Sequence, residues 1–167
     1  MTKTATLIID GKTLHLPIIE GSHGDRGIDI TRLRAETGCI TYDPGYVNTG
    51  PCKSAITFVD GENGVLRYRG FPIDQIAARG SFTETAWLLI FGELPTREQL
   101  SRFSAGLCAE ELLHEDVKHH FEGFPPGGHP MAMLSAIVNS LGCYHPDLLE
   151  IESRGEFYLA ASKIISK

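Results

Sequence analysis

The run His114-Glu115-Asp116-Val117-Lys118-His119 has the residue types of a zinc-hydrolase helix, two imidazoles with a carboxylate beside the first. Its spacing argues against that chemistry. At 3.6 residues per turn, two ligands of one zinc share a helix face at i and i+4, whereas His114 and His119 stand five apart. Glu115 and His119 do have the i, i+4 spacing, which suits a solvated carboxylate–imidazole pair, and the neighbours His119 and His120 point in different directions. The stretch Pro125 to Met131, "PPGGHPM", sets two glycines before a helix start, where backbone N–H groups can hold an anion. It contains neither G-x-x-x-x-G-K-[ST] nor G-x-G-x-x-G and reads as a loop feeding a helix opened by Pro130. Arg67 and Arg69 share one face of a strand and could grip a carboxylate, although the solvated face of a hairpin is the plainer reading. No Ser/His/Asp arrangement is defined by spacing.

These residues need elements to position them, and the chain divides by its local grammar. Thr4 to Ile9 and Thr13 to Ile18 flank Asp10-Gly11-Lys12, a hairpin signal with a glycine for positive φ. A helical turn is expected over Ile30 to Arg34, after Asp29. The β pattern resumes at Ile40 to Tyr42 and Ala55 to Val59, and Asp60-Gly61-Glu62-Asn63-Gly64 turns the chain back into Val65 to Arg69. Gly70-Phe71-Pro72 is then a junction, with Pro72 in a first helical turn, Ile73, Ile76 and Ala77 at helical spacing and Gly80 as a stop.

Beyond it, Ser81 with Glu84, Thr96 with Gln99, and Ser153 with Glu156 each repeat the capping-box pattern before an apolar run. The segment Ala86 to Phe91 is apolar nearly all round and belongs in a multi-helix core. Leu100, Phe103 and Leu107, and Met131, Leu134, Ile137, Val138 and Leu141, form one-sided stripes whose expected role is core packing.

Composition sets the outer limits. With 167 residues, 42% hydrophobic and 22% charged, the chain reads as a soluble globular protein. A net charge of -6 without a Lys/Arg block argues against a nucleic-acid partner. The apolar runs are far shorter than the roughly 20 residues of a membrane span, and the first twenty residues carry neither a signal-peptide nor a transit-peptide pattern, so a cytoplasmic location is expected. Cys39, Cys52, Cys108 and Cys143 form no C-x-x-C and are expected to be reduced thiols, with no metal and no cofactor.

Read in order, the motifs resemble a known family. Tyr42-Asp43-Pro44-Gly45, "ITFVDGENGVLRYRGFPIDQIA" (Ile56 to Ala77), "GELPT" (Gly92 to Thr96), "HPM" (His129 to Met131) and the closing Ser166-Lys167 resemble the bacterial type of citrate synthase over essentially the whole chain. The resemblance implies an α+β protein: a small N-terminal antiparallel β-rich module over residues 1–70, then the start of a mainly α-helical large domain over residues 71–167. The β module points to the hexamer-forming type. The implied activity of the complete enzyme is condensation of acetyl-CoA with oxaloacetate to citrate, as a homo-oligomer. 2-Methylcitrate synthase, or a non-catalytic interaction module on the same scaffold, are the alternatives.

That reaction needs a base beside the thioester, a donor to stabilise the enol, an acid to polarise the ketone, and arginines for a dicarboxylate. In the family those groups lie in later sequence, so none of the seven histidines here is assigned a catalytic role. The stripe Phe157, Ala160, Ala161, Ile164 runs to the last residues without Gly, Asn or Pro, and the chain is expected to be the N-terminal part of the enzyme, inactive alone. Many hexameric members are inhibited by NADH, and Tyr144, Lys163 and Lys167 match members of that effector site. The run Ala109-Glu110-Glu111-Leu112, expected early in the helix after "GELPT", places two acids where the family has positive groups, which implies weak or absent NADH inhibition.

Overall fold

The computed structural model describes residues 3–167. They form two compact units that divide between Ala55 and Ile56, and the architecture is mixed α+β.

The first unit is built on a hairpin of β1 (Thr4–Ile9) and β2 (Lys12–Glu20). Ile9 pairs with Lys12, so Asp10-Gly11 is a two-residue loop, and both residues have positive φ, 49° and 78°. That is the primed turn whose twist matches the flanking strands, and only glycine or a short polar residue adopts it at low cost. Leu7 lies opposite Leu14 and Ala5 opposite Leu16. Leu14, Leu16 and Leu33 form the core of this unit, with Leu7 and Ile9 packed against them. Leu33 comes from α1 (Leu33–Thr37), three residues later than the turn expected at Ile30. The delay has a local cause: the Asp29 carboxylate accepts from the Thr31 N–H and hydroxyl, which holds a turn before the helix starts.

A third strand, β3 (Arg26–Ile28), pairs antiparallel with the end of β2. Its three residues include a glycine and carry no alternation to reveal them. Ile40 to Tyr42, expected as a strand, is irregular, with Ile40 and Tyr42 71% and 89% exposed. Next to it the Asp43 carboxylate accepts from the N–H groups of Val47 and Asn48 and from the Thr49 hydroxyl, closing a loop that satisfies its own backbone instead of pairing.

The second unit opens with an antiparallel sheet of β4 (Thr57–Asp60), β5 (Val65–Tyr68) and β6 (Phe71–Pro72). The switch from β to α at Gly70 therefore lies inside this unit, because the strands before it group with the helices after it. α2 (Ile73–Arg79) follows Pro72 directly. Gly80 ends it in extended backbone, and a Cβ there would sit 2.8 Å from the Ile76 carbonyl oxygen, so close approach demands the glycine. α3 (Phe82–Phe91), α4 (Arg97–Ala109) and α7 (Arg154–Ser166) each start at a complete capping box, Ser81/Glu84, Thr96/Gln99 and Ser153/Glu156. Between them lie α5 (Val117–Glu122) and α6 (Pro130–Tyr144).

α3, α4 and α7 pack through aromatic rings: Trp87 stacks on Phe91 at 3.8 Å, Phe103 meets both edge-on, and Tyr158 lies 4.5 Å from Phe91. Leu88 beside them is fully buried, while its neighbours in the Ala86 to Phe91 run are half-buried. Val117, Ile137 and Leu141 make a separate core between α5 and α6. The α6 stripe is thus divided. Ile137 and Leu141 are buried as expected, whereas Met131, Leu134 and Val138 are 62%, 53% and 44% exposed, since α5 covers one side of the helix.

Candidate effector site at the end of α6

α6 ends where Pro146 forbids its continuation: the residue before a proline is pushed out of helical backbone, and His145 sits at φ −131°, ψ 65°. Tyr144 is therefore the last helical residue, and a 3-10 turn over Pro146–Leu148 follows. The Tyr144 hydroxyl is 2.9 Å from His120 Nε2 on α5. Its ring lies 5.1 Å from that of His114 and 6.0 Å from that of His120, the first tilted and the second edge-on.

Lys163 lies in the last turn of α7, and Lys167, four residues on, is the C-cap whose N–H donates to the Lys163 carbonyl oxygen. Lys163 Nζ donates to Asp147 Oδ2 at 3.1 Å from a side chain only 14% exposed. That hydrogen bond, followed in effect by the charge of Lys163, holds the Asp147 carboxyl below the usual carboxylate range. Lys167 Nζ donates to the Leu112 carbonyl oxygen. Leu113 packs on the Val117/Ile137/Leu141 core together with Tyr144. The segment 112–114 thus links Lys167 at one end to Tyr144 at the other, and the 146–148 turn links Tyr144 to Lys163. Among the described residues no bond or ring contact joins Tyr144, Lys163 and Lys167 to one another; each is tied to its own partner, His120, Asp147 and the Leu112 carbonyl oxygen.

Glu110 and Glu111 stand differently from expectation. α4 closes at Ala109 with Glu110 as its C-cap, so the Ala109-Glu110-Glu111-Leu112 run occupies the end of the helix after "GELPT" and the segment beyond it. Glu110 and Glu111 sit at the negative end of the α4 dipole, with no basic residue in its last turn, and immediately precede the carbonyl that Lys167 holds. The pairings of His120 with Tyr144 and of Asp147 with Lys163 could not be read from sequence spacing, because the partners lie 24 and 16 residues apart.

The remaining motif residues are spent on the scaffold. Tyr68 pairs with Phe71, and Arg69-Gly70 is a second two-residue primed turn, with φ 49° and 90°. Arg69 therefore leaves the strand face expected to hold it beside Arg67. Its Nε and a terminal nitrogen donate to the Leu89 carbonyl oxygen at 3.2 and 2.7 Å, satisfying an acceptor in the last turn of α3. Arg67 donates to the Gly70 carbonyl oxygen at 3.2 Å. His114 Nδ1 accepts from the Asp116 N–H, and Lys118, not His119, bonds Glu115. His119 pairs with Glu122 at 3.3 Å. His129 caps α6 by accepting from the Met131 N–H at 3.2 Å. Among the described residues no three His, Cys, Asp or Glu side chains are grouped to hold a metal ion, and no helix is long and apolar enough to cross a membrane.

Comparison with known proteins agrees with this scaffold. Residues 45–167 match the family model for the citrate synthase C-terminal domain. Citrate synthase 1 of Mycobacterium tuberculosis is 43% identical over 164 residues, which are 98% of this chain and 38% of the relative. The citrate synthase of Pyrobaculum aerophilum superposes with a TM-score of 0.67 at 23% identity, over 99% of this chain and 38% of that one. That of Thermotoga maritima superposes with 0.59 at 28% identity, over 75% of this chain and 33% of that one. A ternary complex of carboxymethyl coenzyme A and oxaloacetate with the Thermoplasma acidophilum enzyme gives 0.64 at 21% identity, over 71% of this chain and 31% of that one. This chain thus spans under two fifths of the length of these relatives, and with most of its residues inside the family model it belongs to the citrate synthase family.

Proposed function

We propose that these residues are the N-terminal part of a citrate synthase of the bacterial hexameric type, whose complete form condenses acetyl-CoA with oxaloacetate and water to citrate and CoA in the cytoplasm. The observation that carries this reading is the 43% identity to a citrate synthase across 98% of the chain. The residues described here supply scaffold: strand turns, helix caps and two helical cores. The catalytic histidines, the aspartate and the substrate arginines are contributed by sequence outside Met1 to Lys167.

Tyr144, Lys163 and Lys167 form part of an effector site for a diphosphate-bridged dinucleotide, NADH in the family. Glu110 and Glu111 beside them weaken it, because an anion approaching Lys167 meets two carboxylates whose field the α4 C-terminus reinforces.

The test is citrate formation from acetyl-CoA and oxaloacetate by the purified 167-residue chain. The expected result is no thiol release above background, with turnover appearing when a C-terminal segment carrying the missing groups is supplied. Turnover by the chain alone, surviving controls for contaminating enzyme, would sink this assignment of the chemistry.

A further inference from the structure

We propose that β1 is a self-pairing edge: two copies of this chain join their β1 strands antiparallel about a two-fold axis at Thr6. The pairing draws on residues of the first unit alone and does not depend on the catalytic reading above.

The parity of the β1–β2 ladder fixes what the outer side of β1 offers. Ile9 pairs with Lys12 across the two-residue loop, and the Ile18 N–H donates to the Lys3 carbonyl oxygen at 2.9 Å. Lys3, Ala5, Leu7 and Ile9 therefore turn their backbone groups towards β2. The N–H and C=O groups of Thr4, Thr6 and Ile8 point away from the sheet, and among the described residues no other segment bonds them. All three residues are exposed, Ile8 by 67%.

Sheet edges are ordinarily blunted by shortness, a charge or a proline, which keeps them from templating another strand. β3 has three residues and carries Arg26, β4 ends in Asp60, and β6 has two residues, one of them Pro72. β1 runs for six residues, Thr-Ala-Thr-Leu-Ile-Ile, with none of these devices.

The strand's own sequence selects a second copy as its occupant. With Thr6 opposite Thr6 of the other copy, the two exchange both backbone bonds, and Thr4 of each copy does the same with Ile8 of the other. On the core side the small Ala5 then faces the large Leu7, so the two strands interlock side chains of unequal size. Charge sets the direction. The strand lies between Lys3 and Asp10, and antiparallel pairing brings Lys3 of one copy to the Asp10 end of the other. Parallel pairing would set lysine beside lysine and aspartate beside aspartate.

Cysteine cross-linking of the full chain reads this register. Directly opposed residues that exchange backbone bonds have Cα atoms about 5.5 Å apart, within disulfide reach. Under mild oxidation Thr6→Cys is expected to give a disulfide-linked dimer, and Thr4→Cys mixed with Ile8→Cys a linked pair. Thr4→Cys alone, with its two copies offset by about 13 Å along the strands, gives no link at that position. Peptide mapping separates these links from any made through the native cysteines. Hydrogen exchange at single amides supplies the second readout. In the native chain the Thr4 and Ile8 amides gain protection as concentration rises. In Thr6→Lys, an exposed change that sets like charges at the axis, they lose it while Ala5, Leu7 and Ile9 stay protected by the intact hairpin. Thr4 and Ile8 amides unprotected at every concentration, or equal linking by Thr4→Cys alone and by the mixture, overturns the proposal.

Discussion

The two compact units reach their cores by different routes. Residues up to Ala55 bury Leu14, Leu16 and Leu33, two of them on one strand of a hairpin closed by two residues and the third from a five-residue helix soon after. Residues 56–167 bury Leu88, Phe103 and Ala160 from α3, from α4 a short loop later and from α7 much further along the chain, and add a second core between α5 and α6. The first route depends on turn chemistry, because a short loop costs little entropy to close. The second depends on packing, because helices of 10 to 15 residues are marginal in water until they share a face.

The largest expected effect exploits that difference. Leu88 is 0% exposed beside the Trp87/Phe91/Phe103 ring cluster. Leu88→Ala should cost about 3–5 kcal/mol, the lost transfer energy of a fully buried side chain plus the cavity it leaves. Urea unfolding followed by Trp87 fluorescence reports it. Leu16→Ala, in a smaller core with half-buried neighbours able to shift, should cost about 2–3 kcal/mol, read by amide exchange in β2. The reverse order of the two would show that the hairpin unit, rather than the ring cluster, is the better packed.

What the sequence made legible follows the same division. Signals that act over two to four residues were read directly: the Asp10-Gly11 turn, the Asp60 to Gly64 turn, and the three capping boxes all form. What depends on distant partners was not. β3 exists because β2 runs on to Glu20 and offers an edge, and nothing in Arg26-Gly27-Ile28 announces it. Arg69 fits strand alternation, yet its left-handed backbone and its bond to Leu89, 20 residues on, take it off the strand face. Tyr144, Lys163 and Lys167 were singled out by resemblance, whereas the partners of Tyr144 and Lys163, His120 and Asp147, became visible only when residues 24 and 16 positions apart were brought together.

The second prediction asks which half of the Arg69-Gly70 turn matters more. Gly70 has φ 90°, a region that L side chains rarely adopt, although nothing lies within 4 Å of a Cβ built there. Gly70→Ala should therefore cost about 1–3 kcal/mol through backbone strain alone. Arg69→Gly accepts the turn's positive φ but removes the charged donor to the α3 C-terminus, and should cost about 1 kcal/mol net of the relief of strain. Thermal melts of the two variants rank them. A larger loss in Arg69→Gly would make the helix cap, not the turn, the reason for "RYRG".

The smallest effect concerns acid and again separates the units. In the first, Asp43 is held below the usual carboxylate range by the Thr49 hydroxyl and then the Asn48 N–H, using both of its oxygens. In the second, Glu84 is lowered by the Ser81 N–H and then the Ser81 hydroxyl, and the N–H reaches a single oxygen at 2.7 Å. A carboxyl whose folded pKa is depressed adds stability that is present above its unfolded value and is lost as pH falls through the folded one. Both groups therefore contribute at neutral pH and stop contributing in acid. Glu84→Gln keeps the one acceptor the capping box needs, as Gln99 does for Thr96, so it should leave the melting temperature at pH 7 nearly unchanged and reduce its fall in acid. Asp43→Asn must give up an acceptor oxygen for a donor, and should lose stability already at pH 7. Melts followed from pH 7 to pH 3 compare them, and a Glu84→Gln profile parallel to the native one down to pH 3 would show that the box is not a source of the acid sensitivity.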